Sequence, residues 1–116
     1  MSGDTMPIGA KAYRQQATYW GSPSTDGWGQ ATFAPPVLLT CRWEDRIEVF
    51  TDMAGEERRS SAVVWTYNIL EIGGYLVKGN QLAMQNPTDI DGSLMIRRAD
   101  EIPDLRGLNY ERKHYL

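Results

Sequence analysis

Along this chain, apolar and polar positions alternate far more often than they recur at helical spacing. The clearest alternation is Val37-Leu38-Leu39-Thr40-Cys41-Arg42-Trp43-Glu44. One face of that strand carries Val37, Leu39, Cys41 and Trp43, and the other turns polar toward Glu44. Tyr13 to Trp20 reads as an earlier strand, with Tyr13, Gln15, Ala17 and Tyr19 on one face. Ile47 to Thr51 is β-branched and aromatic, Asp52-Met53-Ala54-Gly55 reads as a tight turn, and the next strand runs from Arg58 to Tyr67. Gly73-Gly74 breaks the chain before Tyr75-Leu76-Val77, which Gly79-Asn80 closes. Gln81 to Gly92 reads as loop with one helical turn, and Leu94 to Ala99 as a strand stopped by Ile102-Pro103-Asp104. Arg106-Gly107 turns the chain again, and the alternating tail 108–116 fits a last strand or an arm reaching a neighbour.

Two stretches break the pattern. Residues 1–12 are small and polar and read as a flexible N-terminal arm ahead of a single domain over 13–116. Residues 21–36 carry Gly, Ser, Pro and Asp, with Pro35-Pro36 unable to donate to a ladder, and read as one long loop. Loops of that length in compact domains are often functional. Together the signals predict a mainly β fold, a small antiparallel barrel or sandwich of five or six short strands with long loops and extended terminal arms.

Composition narrows the chemistry. The 116 residues include 41% apolar and 23% charged positions, with a net charge of −3. A pI near 5.1 makes free nucleic acid a poor default partner, because the net field does not attract a phosphate backbone. No apolar run approaches the roughly 20 residues of a membrane span, and the first residues carry no export pattern. One cysteine, Cys41, excludes an internal disulfide and reads as a small buried hydrophobe suited to a reducing compartment. With one histidine and no phosphate, dinucleotide or nucleophile-elbow motif, the chain is expected to be no enzyme and to need no metal or cofactor.

The candidate functional residues are therefore contact residues. Four tryptophans are generous for this length. Trp43 and Trp65 sit on strands and are expected to pack in the barrel or on its wall. Trp28, held in Asp26-Gly27-Trp28-Gly29, has no core face of its own. It either folds back as a plug or anchors a partner. The pairs Arg58-Arg59 and Arg97-Arg98 point to opposite strand faces and read as solvated edge charges that discourage stray pairing. The carboxylates from Glu44 to Glu57 lack a calcium-loop pattern and read as a solvated or interface-facing acidic rim. His114 is expected to meet solvent or a neighbouring subunit.

The order of the pieces resembles a known family. Tyr19-Trp20, the Asp26-Gly27-Trp28-Gly29 loop, Phe33-Ala34-Pro35-Pro36, Cys41-Arg42-Trp43-Glu44, Phe50-Thr51-Asp52, Gly55-Glu56-Glu57 and Ser61-Ala62-Val63-Val64 carry the first half. Gly73-Gly74-Tyr75-Leu76, Ile102-Pro103-Asp104-Leu105-Arg106-Gly107 and Lys113-His114-Tyr115-Leu116 carry the rest. Together they look like a head-closure protein, the stopper or head-completion subunit of the tailed-bacteriophage head-to-tail connector. The chain departs from that pattern at Gly74, where an acidic residue is expected, at Trp65 and at His114.

The resemblance implies a small β-barrel without catalysis or cofactor, assembled with copies of itself as a hexameric or dodecameric ring. It implies a portal–adaptor complex above, a tail terminator or tail tube below, and packaged DNA passing through without sequence-specific binding. The expected place is the virion neck, after synthesis in the host cytoplasm. Asp26, Gly27, Trp28 and Gly29 would then form a channel or subunit-contact loop, and Lys113, His114, Tyr115 and Leu116 a C-terminal contact arm. An acidic rim facing the channel would let DNA slide. Another connector component, such as the adaptor or the tail terminator, is the nearest alternative. A stand-alone β-barrel binding oligonucleotides or proteins is the alternative from a different class.

Overall fold

The computed structural model describes residues 15–103 and 110–116. The expected arm at 1–12, Tyr13, the Arg106-Gly107 turn and Leu108 lie outside them. The chain is mainly β. Its strands are β1 (Gln15–Trp20), β2 (Ser24–Thr25), β3 (Ala31–Thr32), β4 (Val37–Glu44), β5 (Val49–Thr51), β6 (Glu57–Arg59), β7 (Val63–Thr66), β8 (Tyr75–Lys78), β9 (Leu94–Met95), β10 (Arg98–Pro103) and β11 (Tyr110–Tyr115). A single 3-10 turn, Pro87–Asp89, lies between β8 and β9, capped by the Asn86 side chain, which accepts the Thr88 N–H.

Seven strands form one strongly curled antiparallel half-barrel in the order β10-β11-β7-β4-β1-β8-β9. β2–β3 and β5–β6 are separate two-stranded hairpins. Its two outermost strands are consecutive in the chain, and the step between them closes the curl. Ile96 N–H donates to Gly74 O at 2.8 Å on the β8 side, and the next residue, Arg97, donates to Tyr115 O at 2.8 Å on the β11 side. Neighbouring Cα atoms are about 3.8 Å apart, so one peptide bridges the two margins of the sheet.

The glycine at position 74 belongs to this seam. A Cβ there would lie 2.8 Å from Trp20 O and 2.9 Å from the Tyr19 ring. A side chain there would have to displace the backbone at Trp20, so the seam calls for glycine.

One face of the sheet is covered along its length, and the other only over β7 and β11. On one face Leu39, Cys41 and Trp43, the alternation expected for β4, join Ala17, Val64, Leu76, Ile96 and Leu116 in the larger core, while Val37 at the strand's start is exposed. On the other, Phe50 from β5 packs with Val63, Trp65 and Tyr115. That cover explains why all four residues of β7 are buried, as in a strand with no solvent side.

Several expectations need correcting. The strand expected from Arg58 to Tyr67 is two strands in two sheets. Ser60 ends the first, its Oγ donating to Arg46 O and accepting the Glu48 N–H, both at 2.9 Å. The strand expected from Leu94 to Ala99 likewise divides at the seam, and β10 runs on through Ile102 to Pro103. The segment 21–36 is not featureless, since it holds the β2–β3 hairpin. Eleven strands stand among the described residues where five or six were expected. The tail is a strand and not an arm: β11 lies inside the sheet, paired to β10 and β7.

Candidate functional site

The β2–β3 hairpin owes its shape to one carboxylate and one glycine. Asp26 N–H donates to Gln30 O at 2.9 Å, and Gly29 N–H to Asp26 O at 3.1 Å. Asp26 Oδ1 accepts the N–H groups of Trp28 (2.8 Å) and Gln30 (3.0 Å), fixing the turn from within. Gly29 sits at φ +80°, the left-handed conformation that closes a three-residue hairpin and suits glycine. At the base, Phe33 meets the Tyr75 ring edge-on at 5.4 Å and Ala34 N–H donates to Gly21 O at 2.8 Å.

This ordered turn presents Trp28 to solvent, 91% exposed. The plug alternative is thereby excluded for the chain as it stands. Trp20, Trp43 and Trp65 are 0%, 6% and 6% exposed. Trp43 and Trp65 therefore pack on the sheet as expected. Trp65 lies under Arg42, whose guanidinium carbon is 4.1 Å from the ring centroid.

The β5–β6 hairpin repeats the same turn. Asp52 N–H donates to Glu56 O at 2.8 Å and Gly55 N–H to Asp52 O at 3.0 Å. Asp52 Oδ1 accepts from Ala54 and Glu56, and Gly55 has φ +83°. Its tip presents Met53, 77% exposed.

The acidic rim is largely self-neutralised. Glu44 and Glu48 pair with Arg46 at 3.2 and 2.6 Å, Asp52 and Glu56 with Arg58 at 2.9 and 2.7 Å, and Asp45 with Lys78. Glu48 also meets Lys113 at 2.5 Å, and this contact is the main cause holding its carboxyl below the usual range. Bare acid facing a channel is therefore not what this surface offers. No group of three or more metal-ligating side chains occurs among the described residues.

Arg97 and Arg98 are corrected too. Arg97 donates to Arg59 O at 2.7 Å and to Leu116 O at 2.9 Å, and Arg98 to Thr51 O at 2.8 Å. They fasten the β5–β6 hairpin to the body of the protein; the edge-charge reading does not describe them.

The four tail residues lie within this chain's own packing. His114, expected to meet solvent or a neighbour, is fully buried, with Nδ1 3.2 Å from Val64 O and Nε2 without a partner among the described residues. Burial lowers its pKa to about 4. Tyr115 stacks on Phe50 at 4.9 Å, and Leu116 joins the larger core. Cys41 is buried, its thiol pushed up to about 11, so it is a packing residue and not a nucleophile at neutral pH.

Sequence reasoning gave no sign of a cleft of about 420 Å³ lined by Trp43, Asp45, Val77, Lys78, Ile90 and Leu94. It is an open surface cleft whose lining mixes apolar side chains with Asp45, Lys78 and Asp91. Trp43 Nε1 donates to Asp45 Oδ1 at 2.8 Å, and the Lys78 ammonium lies 5.6 Å from the Trp43 ring centroid. The cleft draws on β4, β8 and the approach to β9, segments that only the folded sheet brings together.

No family model matches the chain, and neither a curated protein nor a solved structure matches it.

Proposed function

We propose that this chain is a structural virion protein, forming a ring at the head–tail junction that closes the DNA-filled head and offers the tail its attachment surface. The observation that carries the reading is Trp28, a large apolar side chain held almost wholly in solvent on a turn ordered by Asp26. A side chain that contributes nothing to its own core is suited to a partner, and tryptophan is among the residue types enriched at interface hot spots.

The paired rim also fits a channel wall. Charges already satisfied within the chain neither hold a phosphate backbone nor strongly repel it, so DNA could pass without sticking. The portal–adaptor complex above, a tail terminator or tail tube below, and copies of the chain itself are the proposed partners.

The oligonucleotide-binding reading has less support. Stacking platforms for single strands combine aromatic rings with a cationic groove. The segment 21–36 that displays Trp28 contains no lysine or arginine.

The test is to label the chain and locate it in purified, DNA-filled particles by electron microscopy. A ring of density between head and tail is the expected result. Absence from the particle would overturn the proposal.

A further inference from the structure

We infer that Trp28 of one copy seats in the Trp43–Lys78 cleft of a second copy, making a head-to-tail contact. The inference rests on the ring reading above and names the contact from which the ring would be built.

Placement is the first argument. The β2–β3 hairpin springs from the end of the sheet where Tyr19 pairs with Val37. The cleft lies toward the other end of β4, at Trp43 and Asp45. Along a strand at about 3.3 Å per residue, Val37 and Trp43 are roughly 20 Å apart. Within one chain Trp28 does not enter the cleft, being 91% exposed. Knob and hole at opposite ends of one molecule make a heterologous contact, which closes into a ring when its rotation allows.

Chemical complementarity is the second. The indole N–H of Trp28 has no acceptor among the described residues, and its ring has no neighbour there. The cleft supplies apolar surface from Val77, Ile90 and Leu94 and the Trp43 ring, against which an incoming indole can pack. Asp91, exposed at the rim with no partner among the described residues, supplies a carboxylate acceptor.

Area sets the strength. An aromatic side chain buries about 150–250 Å², while a stable interface buries at least about 1,200 Å². One such contact is weak between two free copies and effective when several close together, because each closure is then intramolecular.

Irreversible trapping suits a weak contact. Gly27 tolerates a side chain, since an added Cβ meets nothing within 4 Å, and Gln81 is an exposed residue of the cleft. Chains carrying Gly27→Cys and chains carrying Gln81→Cys would be mixed under mild oxidation; buried Cys41 does not compete. The expected product is a mixed disulfide dimer that forms only in the mixture. It should fall about tenfold or more when Trp28→Ala is added to the Gly27→Cys chain, the scale of losing an aromatic anchor. Acrylamide quenching is the second reading, because Trp28 is the one exposed tryptophan among the described residues and its emission should become protected as copies associate.

No mixed dimer, equal trapping with Trp28→Ala, or Gly27→Cys chains pairing only with themselves would overturn the inference. A ring seen between head and tail without this trapping would leave the ring reading standing on a different contact. Trapping by a chain absent from the particle would leave the contact and remove the ring reading.

Discussion

The two hairpins have one turn and two fates. In each, an aspartate donates and accepts across a three-residue loop, its carboxylate holds two further N–H groups, and a glycine at positive φ closes the return. β5–β6 is then fastened down. Phe50 stacks on Tyr115, Arg97 and Arg98 reach its backbone carbonyls, and Lys113 grips Glu48. β2–β3 is exposed along its whole length and, among the described residues, meets the body at its base. The difference teaches that local turn chemistry fixes the shape of a hairpin, while docking decides whether the fold depends on it. A tip that is well shaped and undocked is available for contacts outside the chain.

The sharpest way to break the comparison is truncation of each hairpin's aromatic. Phe50→Ala should cost about 3–5 kcal/mol in denaturant unfolding, the usual loss for a buried phenylalanine. Trp28→Ala should stay within about 0.5 kcal/mol, as for exposed positions without special roles in the fold. Equal losses would mean that the two hairpins are not different in kind.

Acid should separate them next. In the folded chain burial holds the imidazole of His114 down to about 4, with Arg112 adding repulsion and the Val64 hydrogen bond opposing both. Unfolded, the same group titrates near 6.5. The unfolded chain therefore binds the extra proton first. Stability is full above pH 6.5 or so, falls as pH drops through that value, and levels off below about 4. The cationic partners of Asp45, Glu48 and Asp52 hold those carboxyls below their ordinary range, so the loss expected between pH 6.5 and 5 is that of the single histidine. With the unfolded group already half protonated at pH 6.5, the loss between the two values comes to about 1.6 kcal/mol. Unfolding midpoints at the two pH values would measure it, and no change would mean that His114 is accessible to protons in the folded state. His114 lies on the face of β11 opposite Tyr115 and Phe50, so acid should destabilise the sheet as a whole and leave the quenching of Trp28 unchanged.

The smallest expected effect concerns the turn aspartates themselves. Asp52→Ala removes both the turn bonds and the Arg58 pair, whereas Asp26→Ala removes turn bonds alone. Thermal unfolding should place Asp52→Ala below Asp26→Ala. Backbone relaxation by NMR should show Gly27 to Gly29 loosened in the Asp26 variant. A midpoint lowered as far by Asp26→Ala would show that β2–β3 contributes to the core after all.

What could be read from the sequence follows from how local each signal is. β4 appeared with its residue limits, because one face meets core and the other meets water, and alternation is the direct image of that. β7 blurred into β6, because burial on both faces erases alternation and the Ser60 break is made by hydrogen bonds to Arg46 and Glu48. The Asp26 turn was visible in its Asp-Gly-Trp-Gly residues, and the exposure of Trp28 was one of two readings left open. His114 was misread because a position near a terminus suggests solvent, whereas β11 lies inside the sheet between β10 and β7 and the imidazole is buried there. The cleft had no sequence signal at all, being assembled from segments far apart in the chain.

The step from Ile96 to Arg97 has a mechanical consequence. In an open sheet, a load pulling the two margins apart is carried by hydrogen bonds and can peel them one at a time. Here the margins are consecutive stretches of one backbone, so at that point the load falls on a covalent bond. The curl is clasped at its seam, and the shape of the half-barrel should outlast forces that would flatten a sheet of the same strands joined elsewhere.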